Sequence, residues 1–171
     1  MGCSTSDRQP ISCLLINKVI QRDRIMTRQD FSISISAPVS ASDACNQIAR
    51  VSEWWVKDIE GSAGNLGDIF TARFGEPFVD FKITEAVPNS KVVWHVINCD
   101  LPWLTDKTEW KDTNAVFEVS ASQSETTVTM THEGLVPEAE CYDSCVQGWN
   151  QYFAQSFRHL LIDGYGMPQL H

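Results

Sequence analysis

The stretch 138–163 constrains the fold more than any other part of the chain. Tyr142, Cys145, Val146, Trp149, Phe153, Ser156, Phe157, Leu160 and Leu161 recur at i, i+3, i+4 and i+7, the period of a helix with one buried face. Glu138 and Glu140 suit the positive end of its dipole, and Gly164, Gly166 and Pro168 stop it. A helix this long and this apolar on one side must lie against a wide apolar surface, and the preceding chain supplies one.

Phe31, Ile33 and Ile35 alternate with Ser32, Ser34 and Ser36, which predicts a strand with one buried face. Ser40 or Ser42 can cap a helix whose apolar positions are Ala44, Ile48 and Val51. The segment 61–67, with Gly61, Gly64 and Gly67, reads as a loop and matches neither a dinucleotide fingerprint nor a P-loop. Five strand-like runs follow, over 68–74, 78–87, 91–98, 115–121 and 126–133. Gly75-Glu76-Pro77, Pro88-Asn89-Ser90 and Ser122-Gln123-Ser124 are tight-turn chemistry and predict antiparallel hairpins. A polar, Trp-rich connection spans Cys99 to Thr113, with a short strand expected near Thr108-Glu109-Trp110. The expected fold is therefore α+β, a curved antiparallel sheet wrapped around a long carboxy-terminal helix. It occupies 30–165, after a flexible extension over 1–29 and before a short tail over 166–171.

The chain's 171 residues suit one domain that buries its own core. Its formal charge of −9 is uneven: residues 1–30 carry +2, and residues 31–171, with eight basic and nineteen acidic side chains, carry −11. Such a surface opposes nucleic-acid binding; it serves solubility, or offers an acidic face to a basic protein partner. The apolar runs are too short to span a membrane. Cys3, Cys13, Cys45, Cys99, Cys141 and Cys145 form no CxxC pair, and no secretory signal precedes them, so free thiols in the cytoplasm are expected. Met1-Gly2 with Ser6 fits the myristoylation pattern, with Cys3 as a second acyl site, against the plainer reading of a flexible extension.

Several motifs resemble the START-like (SRPBCC) superfamily and, within it, the domains called activator of heat-shock-protein-90 ATPase homologues. They are Trp54-Trp55, Asp58-Ile59-Glu60-Gly61, Leu66-Gly67-Asp68-Ile69-Phe70, Lys91-Val92-Val93-Trp94, Thr108-Glu109-Trp110, Thr131-His132-Glu133-Gly134-Leu135 and Gly148-Trp149. The likeness covers residues 30 to about 165. It implies a helix-grip fold whose sheet and helix enclose a cavity for an apolar or amphipathic small molecule. The alternative it implies is a co-chaperone-like interaction module.

With the apolar faces turned inward, the candidate cavity residues are Trp54, Phe70, Phe74, Phe81, Trp94, Phe117, Met130, His132, Trp149 and Phe153. His132 shares its face with Val128 and Met130. It reads either as a hydrogen-bonded histidine near the strand end or as a polar anchor for a ligand. Trp54 and Trp55 read as core, with the alternative that one of them is exposed and joins Trp103 and Trp110, in loops, in an aromatic patch at the cavity mouth. Cys141 and Cys145 share one side of the helix, but two further ligands for a tetrahedral metal are lacking, so neither metal nor cofactor is expected. No nucleophile with a positioned base is apparent, which argues against an enzyme.

Overall fold

The computed structural model describes residues 29–169. The extension expected over 1–29, with its acylation pattern at Gly2 and Cys3, lies outside the described residues but for Gln29.

Strand β1 (Phe31–Ala37) leads into α1 (Ala41–Ile48). Of the two serines able to cap α1, Ser40 is used: its Oγ accepts the Asp43 N–H at 3.0 Å. The helix stops at Ile48 rather than running to Val51. Arg50, at φ −85° and ψ 51°, breaks the ladder, and Val51–Trp54 forms a separate turn, α2. The Trp54 indole N–H donates to the Ile48 carbonyl at 3.3 Å, satisfying one of the acceptors the break frees.

Strands β2 (Asp58–Gly61), β3 (Ile69–Arg73), β4 (Phe78–Val87), β5 (Lys91–Asp100), β6 (Asn114–Ala121) and β7 (Thr126–Glu133) form an antiparallel meander. β1 returns to pair with β7, so the seven-stranded order is β1-β7-β6-β5-β4-β3-β2. Ile33 and Ile35 stand opposite Met130 and Val128 on the core side. On the other side three hydroxyl pairs close across the strands: Ser32 with Thr131, Ser34 with Thr129 and Ser36 with Thr127, at 3.0, 2.8 and 2.9 Å. The serine alternation therefore serves cross-strand pairing as well as solvation.

Three further features differ from the sequence-based expectation. First, β2 is a strand where no strand was expected. Gly61 permits it, since its φ is +90° and a Cβ there would lie 2.3 Å from the Ile69 carbonyl oxygen. Second, Thr108-Glu109-Trp110 is a series of turns, not a strand. The Asp106 carboxylate accepts both the backbone N–H and the hydroxyl of Thr108, at 2.9 and 2.8 Å, which fixes a turn. Third, the carboxy-terminal helix starts four residues later than 138 and is not α throughout. It comprises α3 (Tyr142–Trp149), a π-helical segment (Asn150–Phe157) and α4 (Arg158–Asp163). With i→i+5 bonding each turn takes up more residues, so Trp149, Phe153 and Phe157, four apart, keep to the sheet-facing side.

Gly164, at φ +79°, ends α4, and its N–H bonds the Leu160 carbonyl at 3.2 Å. The chain then packs back onto the domain. Met167 N–H donates to Ser156 Oγ at 2.6 Å, and Gln169 N–H donates to the Trp55 carbonyl at 2.8 Å.

The core between sheet and helix is aromatic. Trp54 stacks on Trp55 and Trp94 at 6.2 and 6.0 Å between ring centroids, and meets Phe117, Phe153 and Phe157 at steeper angles. Trp94 also touches Phe70, Phe81 and Phe117. All of these rings except Trp55, itself buried, are at most 1% exposed.

Candidate functional site

The rings in the middle of the domain close on one another, but at one end they part around a cleft of about 300 Å3. Four segments line it. Trp55 follows α2, and Phe74 and Val79 come from the β3–β4 hairpin. Leu101, Trp103 and Trp110 come from the connection between β5 and β6. Cys141, Ser144, Cys145, Gly148, Trp149 and Tyr152 come from the start of the long helix, with Gln169 at the edge. Trp103 is 58% exposed and marks the mouth. Ring faces form the walls: Trp149 stacks on Trp55 at 5.2 Å and lies parallel to Trp110 at 6.3 Å, 9° apart. A Cβ placed at Gly148 would meet no heavy atom within 4 Å, so the helix leaves open space there.

His132 holds two of these walls. Its Nδ1 accepts the Trp149 indole N–H at 3.1 Å, and its ring stands edge-on to Trp110 at 4.8 Å. Because Nδ1 accepts, the ring proton sits on Nε2 and is donated to Thr113 Oγ1 at 3.0 Å; that hydroxyl donates in turn to the Trp110 carbonyl at 2.6 Å. The chain of donors is complete only with a neutral imidazole. Burial from solvent penalises the cation and holds the His132 pKa down to about 3. Such a group is a structural strut; it does not exchange protons near neutrality.

Two carboxylates clasp the β5–β6 connection to the helix start. Glu109 accepts the backbone N–H groups of Glu140 and Cys141, at 2.6 and 3.0 Å, filling a cap from a distant segment. Glu140 reciprocates, taking the Thr105 N–H at 2.9 Å and its hydroxyl at 3.1 Å. The Cys141 amide that Glu109 takes is the N-cap amide of the helix beginning at Tyr142, which has no intrahelical acceptor.

Of the residues proposed from sequence, Phe74 and Trp149 line the cleft. Trp54, Phe70, Phe81, Trp94, Phe117, Met130 and Phe153 are packed in the core, and His132 stands behind the wall. Sequence reasoning placed Trp103 and Trp110 at a cavity mouth, and both line this one. It did not assign Trp55, Cys141, Cys145 or Tyr152 to the site. The i, i+4 spacing of the two cysteines and the place of Cys141 near the helix amino terminus, where the dipole favours a thiolate but Glu138 and Glu140 oppose it, were the available signals. Among the described residues no group of three or more His, Cys, Asp or Glu side chains is placed to hold a metal ion, and no helix is long and apolar enough to cross a membrane.

A curved antiparallel sheet closed over a long carboxy-terminal helix, with a cleft at one end of the space between them, is a helix-grip fold, and together with the family match it places the chain in the START-like (SRPBCC) superfamily. The family profile described as Activator of Hsp90 ATPase homolog 1-like protein matches residues 46–161, and the chain belongs to that family. Among solved structures it is similar to the Aha1 dimer from Colwellia psychrerythraea, with 22% identity and a TM-score of 0.65 over 81% of this chain and 99% of that one. It is also similar to CalU16 from Micromonospora echinospora, at 13% identity and a TM-score of 0.58, covering 80% of this chain and 75% of that one. A third likeness is to DynU16, a putative protein in the dynemicin biosynthetic locus, at 15% identity and a TM-score of 0.59 over 79% of this chain. The chain spans about half of DynU16, 48% of its length. At these identities the likeness is one of fold. No curated protein sequence matches the chain significantly.

Proposed function

We propose that the protein binds a flat apolar or amphipathic small molecule in the cleft between the long helix and the β5–β6 connection. The observation that carries this reading is the set of tryptophan faces, Trp55, Trp103, Trp110 and Trp149, around about 300 Å3 of open space. That volume lies at the small end of the range for ligand sites, and apolar walls with few polar groups are their usual lining. The family membership supports a binding module in general; the flatness of the ligand is argued from the parallel Trp110 and Trp149 rings.

The test is titration with 1-anilinonaphthalene-8-sulfonate, read by tryptophan emission. The expected result is saturable quenching in wild type and its loss in Gly148→Leu, a variant whose added side chain enters the cleft rather than the core. Equal quenching in both proteins overturns the cleft as the site. If the probe does not bind, and native mass spectrometry always shows bare protein, the binding reading fails. The acidic surface of 31–171, facing a basic protein partner, then takes its place.

A further inference from the structure

The cleft carries a thiol pair that neither the stacking walls nor the His132 strut explains. Cys141 and Cys145 both line it and lie one helical turn apart, the Cys145 N–H bonding the Cys141 carbonyl at 2.8 Å. Neither is in a disulfide. Cys141 is 2% exposed, whereas Cys145 is only half-buried and is the more accessible of the two residues in the cleft lining. The Trp110 indole N–H points at the pair, 3.2 Å from Cys141 Sγ.

We propose that Cys145 is a nucleophile that bonds covalently to flat conjugated enones entering the aromatic cleft, with Cys141 beside it. This rests on the cleft being a binding site and names the ligand class it takes. The reaction is balanced within the site. The Cys145 sulfur forms a C–S bond to the enone β-carbon, and the C=C π pair moves towards the carbonyl as an enolate. The proton lost from Cys145 is returned to the α-carbon. In sum one S–H adds across one C=C, with no oxidant, reductant or further reactant.

The surroundings support a thiolate on Cys145. The Cys145 thiol is lowered chiefly by hydrogen bonding from Cys141 and further by Trp110, against burial and the Glu109 charge. Cys141 is raised, first by its Cys145 neighbour and then by burial. The titratable groups around Cys145 are thus Cys141 on its own helix, Glu109 from the β5–β6 connection, and Tyr152 further along the same helix at the cleft. The walls supply selectivity, because an aryl enone can lie against the tryptophan faces that line the cleft while its alkene lies over the helix.

The experiment treats the full chain with trans-chalcone and, in parallel, with iodoacetamide, and maps adducts by peptide mass spectrometry. The expected result is chalcone addition at Cys145 several-fold faster than at Cys45 and several-fold faster than at Cys145 in urea-unfolded chain. Cys145→Ser loses the fast adduct. Cys141→Ala and Trp110→Phe slow it and move the midpoint of its pH–rate profile upward, with thermal melts confirming that each variant folds. Chalcone labelling no faster at Cys145 than at Cys45, or faster at Cys141, overturns the proposal. Saturable quenching by 1-anilinonaphthalene-8-sulfonate without a chalcone adduct overturns it while leaving the binding reading intact. Iodoacetamide selectivity at Cys145 with neither quenching nor chalcone preference overturns both.

Discussion

The middle of the domain and its cleft end are built from the same residue types and organise them in opposite ways. In the middle, Trp54, Trp94, Phe117, Phe153 and Phe157 close ring on ring, and the Trp94 indole N–H is buried without a hydrogen-bond partner. At the cleft end two of the rings are tied at a polar edge, the Trp149 N–H to His132 and the Trp110 N–H to Cys141, and the Trp110 backbone carbonyl accepts from Thr113. Dispersion alone pulls rings together until no space is left. Directional bonds at the edges fix where the rings stand, and so keep a gap that packing would otherwise close. The contrast teaches that the cleft depends on polar residues outside its lining, and that the filled middle does not.

The sharpest way to break the comparison is to remove a ring from the middle. Trp54→Ala should cost about 3–5 kcal/mol, the range for deleting a large buried aromatic, because no neighbour is free to collapse into the space. Urea unfolding followed by far-UV circular dichroism measures it. A cost below about 1 kcal/mol would mean that the middle is as adaptable as the cleft and that the distinction fails.

A smaller effect, from the other side of the comparison, is expected of His132→Phe. The ring volume is kept, but the Trp149 N–H loses its acceptor and Thr113 loses a donor, a change worth about 1–3 kcal/mol. Quenching by the sulfonate probe should weaken in parallel, since Trp149 is no longer pinned. The same residue predicts a pH dependence. The folded-state pKa of about 3 lies below the ordinary value of 6.5, so on acidification the unfolded chain takes up a proton that the folded chain refuses. Stability from this group is whole above pH 6.5 and falls as pH drops from 6.5 towards 3. His132→Phe should remove that part of the acid limb. An unchanged limb in the variant would show that other groups cause it.

Legibility in the sequence followed the same division. Strands β4 to β7 were readable because each alternates and ends in turn chemistry, and the middle of the core followed from their inward faces. β2 was not readable: as a four-residue edge strand with only Ile59 half-buried, it has no alternation to show. The π-helical segment was hidden because an i, i+4 aromatic series fits an α-helix equally well. The cleft was harder still. Phe74 and Trp149 announced themselves as inward-facing, but the other walls meet only through the Glu109 and Glu140 clasp, which joins segments 31 to 35 residues apart. Local helix-start rules look for a cap nearby and so point to Glu138 and Glu140; the carboxylate that fills the role comes from a turn no periodicity marks.

The smallest effect expected is also the one with opposite sign. Gly148 sits inside α3 at a position where a Cβ would touch nothing within 4 Å. Gly148→Ala removes backbone freedom from the unfolded chain and improves helix propensity without a clash, so stability should rise by about 0.5–1 kcal/mol. The same methyl group enters the cleft, so probe affinity should fall slightly even as the melting temperature rises. That opposition is what an open space predicts and a filled core forbids, because a methyl group added among packed rings strains them. A melting temperature that falls instead would mean the helix and the β5–β6 connection close over Gly148 in solution, and that the cleft is filled like the rest of the domain.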